Sequence, residues 1–335
     1  MRNISDCIIK YIGMFALTVL AACDSIYDSL PPCEYRVHFV YDYNMKFADA
    51  FQHEVTKATL FICDDAGKFL QRRDIEGAEL KANSIALNLD PGTYRLLTWA
   101  GLDDSSYEWP ELTPRVSTIE EIRVKTLRAA DGTQPSELEP LWHALDTLTV
   151  TGTQHEEKEI SLAKNTNKVR VILQDDTYGN SINAEEFTFQ ITADNGYMDY
   201  DNSLLPDPVI TYLPYYQESV DVGAEGDMID GNPAGQYAAV AEMNTMRLME
   251  GRNYRLIVRH KDFENDVLNV NLNNYLLLTK MEGHKISAQE YLDRQDEYSI
   301  IFFLRKTDDP GMPYVCYKVQ VKDWVRRIND NEVLD

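Results

Sequence analysis

The clearest chemical signal in the sequence is a cysteine that follows small residues near the N-terminus, at Leu20–Cys23 (LAAC). A positively charged start and a short apolar run precede it, which is the order of a secretory signal peptide. Lipoprotein signal peptidases cut before a cysteine whose thiol carries a diacylglycerol. We therefore predict that a signal peptide of residues 1–22 is cleaved between Ala22 and Cys23 and that Cys23 is lipidated. An ordinary secreted protein with an incidental cysteine is the alternative.

The lipid on Cys23 would be a lasting membrane tether. Each buried methylene contributes about 0.8 kcal/mol, and a single acyl chain binds only marginally, so two or three chains on one residue detach very slowly. The apolar run 11–20 is shorter than the ~20 residues that span a bilayer. Residues 23–33 are therefore predicted to be a lipidated tether that holds the folded part off the membrane.

The histidines, which would supply general bases or zinc ligands, form no catalytic pattern. The six are scattered, and His155 lacks a second histidine four residues on, as a zincin helix would require. His38 and His143 lie in strand-like or aromatic contexts that are typical of structural histidines. The sequence also lacks a nucleophile elbow, a P-loop and a dinucleotide-binding glycine loop. We expect no enzyme activity and no cofactor.

A group of carboxylates is the one candidate for metal binding. Asp194, Asp199 and Asp201 lie around Gly196, but their spacing fits no EF-hand loop. An acidic surface loop is the preferred interpretation over a calcium site, and no metal is expected.

Three cysteines, Cys33, Cys63 and Cys316, follow the lipidated Cys23. They lack the spacing of a zinc site, and at most one disulfide can form among them. Whether any pair forms is open. Cys63 and Cys316 each lie in an apolar run, so we predict that both are buried core thiols.

The charge of the chain excludes one class of partner. The formal net charge is −23, and Arg2, Lys10 and Asp6 give the signal peptide +1, so the remainder carries −24. Such a surface repels nucleic acid, and the sequence has no basic stripe to bind it.

Short alternating strands between Gly, Pro and Asp turns recur along the chain and predict an all-β, antiparallel sandwich architecture. The main predicted strands are Tyr35–Tyr41, Glu54–Ile62, Thr93–Trp99, Lys168–Leu173, Glu186–Ile191, Arg255–Val258, Tyr298–Leu304 and Tyr314–Val321. A helical turn is predicted within Thr118–Leu127. A short helix is predicted at 287–294, with Ser287 as its cap and Glu290 three residues on.

A weak internal repeat favours two sandwiches of similar plan. Lys168–Leu173 resembles Tyr35–Val40, and Gly251–Val258 echoes Gly92–Leu97 with a similar Tyr-Arg-Leu start. The predicted organisation is an N-terminal sandwich of residues 34–163 and a C-terminal sandwich of residues 164–335.

The aromatic residues leave a second function open, which is the binding of sugars or of another protein. Tyr197, Tyr200, Tyr212, Tyr215 and Tyr216 cluster in one region, where exposed rings could stack on sugars or form a protein interface; packing at the edges of the sandwich is the preferred interpretation. Among the tryptophans, Trp109 beside Pro110 is the one candidate for an exposed stacking surface, whereas the others are expected to be buried: Trp99, Trp142 and Trp324.

The order of several motifs resembles a known family. They are the cysteine motif Leu20–Cys23, Pro32-Cys33 before the Arg36–Asp42 strand, the Asn44–Phe51 loop, Val55–Ile62 running into Asp64–Phe69, Leu89–Tyr94, Trp99–Gly101, Leu141–His143 and Lys164–Asn167. This order, across nearly the whole mature chain, resembles the minor-fimbrium anchoring subunits of Bacteroidia, the anchor lipoproteins of type V pili. The resemblance implies two tandem transthyretin-like, Greek-key β-sandwiches, outer-membrane attachment and a location at the base of a fimbrium.

The resemblance also implies a way to tell an anchor from a stalk subunit. In stalk subunits an arginine-specific protease removes the first strand together with its lipid. Between Cys23 and the second predicted strand the only lysine or arginine residues are Arg36, inside the first strand, and Lys46. The exposed loop 43–53 has no arginine, so we hypothesise that this chain keeps its first strand and its lipid.

The predicted function is therefore a cell-surface, outer-membrane lipoprotein that anchors a fimbrium through strand addition to a stalk subunit. The alternatives are a surface glycan-binding lipoprotein or a fimbrial tip adhesin. The sequence leaves open which stalk subunit binds, and whether the C-terminal segment 322–335 donates a strand or closes its own sandwich.

Overall fold

The computed structural model describes residues 35–327 with gaps at 153–155, 176, 178–179, 223–227, 230–231, 234–235, 281–284, 310 and 322–323. The predicted signal peptide and tether therefore lie outside the described residues. Strands dominate and helices are short, so the all-β prediction is confirmed. In this part of the chain no helix has the length and apolarity needed to cross a bilayer.

The strands of the first part are β1 Tyr35–Val40, β2 Ala58–Asp64, β3 Phe69–Ile75, β4 Ser84–Leu87, β5 Gly92–Ala100, β6 Tyr107–Glu108, β7 Val124–Thr126, β8 Thr133–Gln134, β9 Trp142–Val150, β10 Glu156–Ser161 and β11 Ala163–Lys164. Those of the second part are β12 Thr166–Gln174, β13 Phe187–Ala193, β14 Tyr197–Met198, β15 Ile210–Tyr212, β16 Tyr216–Asp221, β17 Met228–Ile229, β18 Asn232–Pro233, β19 Tyr237–Met246, β20 Arg255–His260, β21 Asp266–Asn271, β22 Glu297–Lys306, β23 Tyr314–Val321 and β24 Trp324–Arg327. The helices are α1 Phe51–Glu54, α2 Gly77–Lys81, α3 Leu272–Leu276 and α4 Ala288–Arg294, with 3₁₀ turns at Ile119–Glu121, Ala184–Glu186 and Leu277–Thr279.

The first part is a layered pair of sheets. A three-stranded sheet, in the order β10-β1-β4, faces a five-stranded sheet, in the order β11-β9-β5-β2-β3. Inward side chains of both sheets, among them Val37, Phe39, Leu60 and Leu96, form one buried apolar cluster. Because its inward side chains belong to this cluster, β1 is an integral strand of the folded part.

The second part repeats the layered plan with larger sheets. A six-stranded sheet runs β16-β19-β12-β22-β23-β24, and a five-stranded sheet runs β21-β20-β13-β15-β8. Their inward residues, including Val171, Phe189, Leu256 and Ile300, belong to a second apolar cluster.

The strands β2 and β5 bury side chains on both faces, so apolar residues follow one another at Leu60–Cys63 and Leu96–Leu97. Successive side chains of a strand point to opposite faces. Leu60 and Leu96 accordingly join the first apolar cluster, while their neighbours Phe61 and Leu97 join the second. The second cluster therefore extends from the outer face of the N-terminal sheet into the C-terminal part.

Strand pairing also crosses the predicted boundary between residues 163 and 164. The segment 101–141 supplies β7, which pairs with β14, and β8, which pairs with β15. The C-terminal sheet is thus completed by a strand from the N-terminal half of the sequence. An alternating pattern of apolar and polar residues identifies a strand but not its partner, so the pairing of β8 with β15 could not be predicted. The division into two sandwiches stays a prediction.

Among the described residues most strand pairs are antiparallel, as predicted, but three pairs are parallel: β1 with β10, β12 with β22, and β15 with β8. Parallel neighbours need long connections, and strands this far apart in the chain satisfy that requirement. The pairs also reveal a shared plan, since β1 and β12 each lie between one antiparallel and one parallel neighbour. The predicted similarity of these two strands is matched by their position in the sheets.

Two local predictions have different outcomes. Ser287 caps α4 by accepting a hydrogen bond from the Glu290 backbone N–H at 3.0 Å, so the predicted helix is confirmed. The predicted strand Glu54–Ile62 is wrong at its start, because Phe51–Glu54 is a short helix and the strand begins at Ala58. The Asp49 carboxylate accepts from the Phe51 N–H at 2.9 Å, which favours a turn at this point over an extended chain.

Candidate functional site

The first strand and the loop that follows it form the candidate site, because the predicted tether would join the folded part at this strand. All six residues of β1 pair with β10, and four of them also pair with β4. Its side chains Tyr35, Val37 and Phe39 are buried. The Tyr35 hydroxyl accepts hydrogen bonds from the N–H groups of Thr151 and Gly152 at 2.9 and 2.8 Å. The strand is therefore fixed along both edges and through its inner face.

The loop after β1 is closed by its own side chains. The Asn44 amide donates to the carbonyl oxygens of Tyr41 and Ala48, at 2.8 Å each. Asp49 accepts from the Tyr41 N–H at 2.8 Å, in addition to its bond to Phe51. These bonds satisfy backbone groups that a loop without regular structure would leave to water.

A cationic side chain from α4 holds the tip of this loop. The Arg294 guanidinium carbon lies 4.0 Å from the Tyr43 ring centre and 4.8 Å from the Phe47 ring centre. The Met45 N–H donates to the Arg294 carbonyl at 3.1 Å, and Glu290 fixes the Arg294 side chain by accepting from its Nε at 2.8 Å. We call this group the Arg294 clamp.

The geometry of Phe47 is strained. Its φ of 51° is in the left-handed region, which a residue with a large side chain rarely adopts, and 58% of the residue is exposed. Two interactions stabilise this conformation: the ring contact with Arg294, and the hydrogen bond that the Phe47 N–H donates to the Asn44 carbonyl at 3.1 Å. The Arg294 clamp has no signal in the sequence, because 247 positions separate Phe47 from Arg294 and no periodicity links them.

Lys164 joins the two parts of the chain beneath the loop. Its Nζ lies 2.8 Å from Glu54 Oε2 and 2.6 Å from Asp296 Oδ2, and 5.3 Å from the Trp142 ring centre. Burial lowers the pKa of Lys164, but Asp296 and Glu54 outweigh burial and raise the pKa above its ordinary value. A charged lysine therefore bridges α1 and the residue that precedes β22.

The predicted lipidation site Cys23 and the cleavage position Ala22 lie outside the described residues, as does Cys33. Cys63 and Cys316 are buried, as predicted, and neither forms a disulfide; burial raises the pKa of each thiol to about 12. Neither thiol is therefore poised to react.

The basic residues near the site lie where the sequence placed them. Arg36 is on the exposed side of β1, and Lys46 is exposed in the loop. The side chains of His38 and Glu157 approach to 3.9 Å across the β1–β10 pair.

The other candidate polar residues have separate structural partners. His143 is buried, and its Nε2 lies 2.8 Å from the Tyr200 carbonyl oxygen, so the structural interpretation is confirmed. Asp194 pairs with Arg252 at 2.8 Å. Asp199 pairs with Arg123 at 3.1 Å, and Asp201 accepts from the Ser203 N–H at 3.0 Å. The three carboxylates do not point at a common centre.

The five clustered tyrosines do not form one aromatic face. Tyr212 is buried in the core, and its hydroxyl donates to Asn195 at 2.9 Å. Tyr215 donates to Glu242 at 3.0 Å, and Tyr216 is exposed at the edge strand β16. Trp99 and Trp142 are buried, as predicted, whereas Trp109 is partly exposed.

The comparison with protein families decides the assignment. The model of the fimbrillin-A-associated anchor proteins Mfa1 and Mfa2 matches residues 30–330. The chain belongs to this family. The resemblance inferred from the order of motifs is thereby confirmed, and the Mfa2 family links the chain to the anchoring of fimbriae.

Solved structures resemble this member of the Mfa2 family over nearly their whole length. A candidate polysaccharide-binding protein from Bacteroides thetaiotaomicron is 36% identical, with a TM-score of 0.76, and the match covers 89% of this chain and 99% of that one. A candidate adhesin from the same species is 31% identical, also with a TM-score of 0.76, over 90% and 100% of the two chains. A search of curated protein sequences gives no match.

The fimbrial anchor protein Mfa2 from Porphyromonas gingivalis has the same fold. Its TM-score is 0.68 at 17% identity, and the match covers 89% of this chain and 99% of that one. The shared fold therefore persists where most residues differ.

Proposed function

We propose that this chain is an outer-membrane lipoprotein that holds the base of a fimbrium to the cell surface. The position of β1 carries the proposal. Acyl chains on Cys23 would insert into the membrane, residues 24–33 would span the polar interface, and β1 joins this tether to the folded part. Six residue pairs with β10 and four with β4 make β1 an integral strand, so a cut in the loop after β1 would release the lipid only together with a strand of the sheet.

Retention of the first strand separates this role from that of a stalk subunit. In the stalk subunits of the resembling family, a protease that cuts after arginine removes the first strand with its lipid. Here the loop 41–50 has no arginine, and the Arg294 clamp holds it against α4. Both features support a chain that keeps its N-terminal lipid.

Contact with the first stalk subunit requires a sheet edge, and β16 is the edge that best supports strand addition. It lies at one end of the six-stranded sheet order, and Tyr216 and Val220 are exposed along it. An open edge with apolar side chains is a template for a partner strand. The edge strand β10 is less suitable, because Glu156–Glu159 are all charged, three acidic and one basic, and charged side chains on an edge discourage pairing.

The C-terminal strand β24 bears on a question that the sequence left open. Trp324–Arg327 pairs antiparallel with β23 in the chain's own six-stranded sheet. This pairing supports closure of the sheet by the C-terminal segment over donation of that strand to a neighbour.

Replacement of the lipidated cysteine tests the proposed function. Cells that produce the Cys23→Ala variant should release long fimbriae into the medium, whereas a Cys7→Ala variant, altered in the signal peptide, should retain them. Fimbriae would be quantified in the cell and medium fractions by immunoblotting and electron microscopy. Fimbriae that stay attached and normal in length in the Cys23→Ala strain would contradict the proposal.

A further inference from the structure

Trp109 lines two neighbouring cavities, and no residue of the first strand lines either of them. Trp109 follows β6 in the small sheet β14-β7-β6 and packs partly against the larger apolar cluster. One cavity, of about 650 Å³, and another, of about 510 Å³, share Glu108, Trp109 and Pro110 in their walls. Both volumes fall in the ~300–1,000 Å³ range of small-molecule sites.

The smaller cavity combines a pair of aromatic side chains with a fixed cation. Trp109 and Tyr197 both line it. Lys125 is the strand partner of Glu108 on one side and of Tyr197 on the other. The Lys125 Nζ lies 3.7 Å from a Glu108 oxygen and 5.9 Å from the Tyr197 ring centre. The aromatic surface and its charged groups are therefore held in register by one short sheet.

The remaining polar groups of the smaller cavity are also held in place before any ligand arrives. The Arg123 Nε donates to Asp199 at 3.1 Å. Glu121 accepts from the Thr118 N–H at 2.9 Å in a capping box. A preorganised polar site loses less conformational entropy on binding than a mobile one.

The larger cavity has an apolar base and a mostly acidic lining. Phe61 and Tyr107 are buried beneath it, and Arg72, which pairs with Asp74 at 2.8 Å, lies 6.0 Å from the Phe61 ring centre. Its other charged residues are carboxylates: Asp104, Glu108 and Glu111. The smaller cavity has two cations and two carboxylates, so neither cavity favours an anionic ligand.

We propose that the two cavities on either side of Trp109, which we call the Trp109 cleft, bind a neutral oligosaccharide. Sugar rings present C–H faces that stack on aromatic side chains, and their hydroxyls both donate and accept. The carboxylates of the cavities can accept hydrogen bonds from these hydroxyls, and the cations can donate hydrogen bonds to them. A peptide added as a strand would need a longer edge than the two residues of β6. This inference does not depend on the anchoring role.

Calorimetric titration of the mature chain in detergent micelles tests the cleft. The probes are cello-, xylo-, manno- and malto-hexaose, with oligogalacturonate as the anionic comparison. At least one neutral hexaose should bind with a dissociation constant of ~1 mM or tighter. Trp109→Ala should weaken binding about tenfold or more, and Trp109→Phe should weaken it less. Val116→Ala, an exposed position outside the cleft, should leave it unchanged.

Two further variants keep the test decisive if Trp109→Ala does not fold. Tyr197 and Glu121 line the smaller cavity, so Tyr197→Ala and Glu121→Gln should each weaken binding severalfold. The proposal is overturned if none of the neutral hexaoses binds, if these variants bind like the wild type, or if oligogalacturonate binds more tightly. It is also overturned if the cleft residues affect only the binding of a fimbrial protein.

Discussion

The guanidinium carbon of Arg294 lies 4.0 Å from the centre of the Tyr43 ring, although the two residues are 251 positions apart in the chain. Tyr43 follows the first strand, and Arg294 ends α4. The contact therefore ties the loop between β1 and α1 to a helix from the C-terminal part of the chain. The contact restrains the loop, and this restraint would protect the loop from proteolysis separately from its lack of arginine.

This restraint predicts resistance to proteolysis even when a cleavage residue is supplied. Lys46→Arg places an arginine at an exposed position in the loop. A cation over an exposed aromatic ring contributes about 0.5–1 kcal/mol, and Arg294 contacts two rings. Adding Arg294→Ala should therefore raise the rate of cleavage after residue 46 by roughly fivefold to thirtyfold, because cleavage requires local opening of the loop.

The measurement is a time course with an arginine-specific protease on folded protein, with cut sites assigned by mass spectrometry. Arg294→Ala without Lys46→Arg is the control and should not be cut in the loop. Equal rates for Lys46→Arg with and without Arg294→Ala would show that the clamp does not restrain this segment.

The first strand should behave as part of the core. Phe39 is buried and stacks on Phe51, with ring centres 6.1 Å apart. Phe39→Ala should lower the free energy of unfolding by about 3–5 kcal/mol, because it leaves a cavity between the sheets. His38→Ala, on the outer face of the same strand, should change it by only about 0.5 kcal/mol. Urea denaturation followed by fluorescence measures both, and a small effect of Phe39→Ala would mean that β1 is dispensable.

The sequence predicts those features that depend on local pattern. The alternation in Tyr35–Val40 identifies β1, and the Ser287 cap identifies α4, because each signal lies within a few neighbouring residues. The apolar run around Cys63 likewise identifies that thiol as a core residue.

Features that depend on tertiary contacts could not be predicted in this way. The Asp49 hydrogen bond to Phe51 turns the start of an alternating segment into a helix. The pairing of β8 with β15 joins residues 78 positions apart, and nothing in Thr133–Gln134 identifies its partner. Arg294 could be placed on its helix, but its contact with Tyr43 and Phe47 arises only from the packing of the two parts.

Lys164 should be essential to the junction. Its side chain is 14% exposed between Glu54 and Asp296. Lys164→Met should cost roughly 2–3 kcal/mol, since it leaves two carboxylates close together without a cation, and their partial exposure keeps the cost below that of a fully buried pair. Arg252→Met, which breaks a surface pair with Asp194, should cost less than about 1 kcal/mol. Equal costs in chemical denaturation would rule out a special role for Lys164.

His143 should make the fold sensitive to acid. Burial lowers the pKa of His143 from its ordinary value of 6.5 to about 4, so the folded state favours the neutral ring. The stability that depends on this ring is complete above about pH 6.5 and decreases as the pH falls towards 4, by up to roughly 3 kcal/mol. His143→Gln, which can still donate to the Tyr200 carbonyl, should reduce the slope of unfolding free energy against pH between 7 and 5. An unchanged slope would contradict the buried, neutral assignment.

The N-terminus of the chain on the cell surface tests the anchoring account most directly. The protein would be isolated from the outer membranes of fimbriated cells and its N-terminal peptide identified by mass spectrometry. The account predicts a peptide that begins at Cys23, carries acyl chains and continues through β1. A mature chain that begins near residue 47, without lipid, would contradict it.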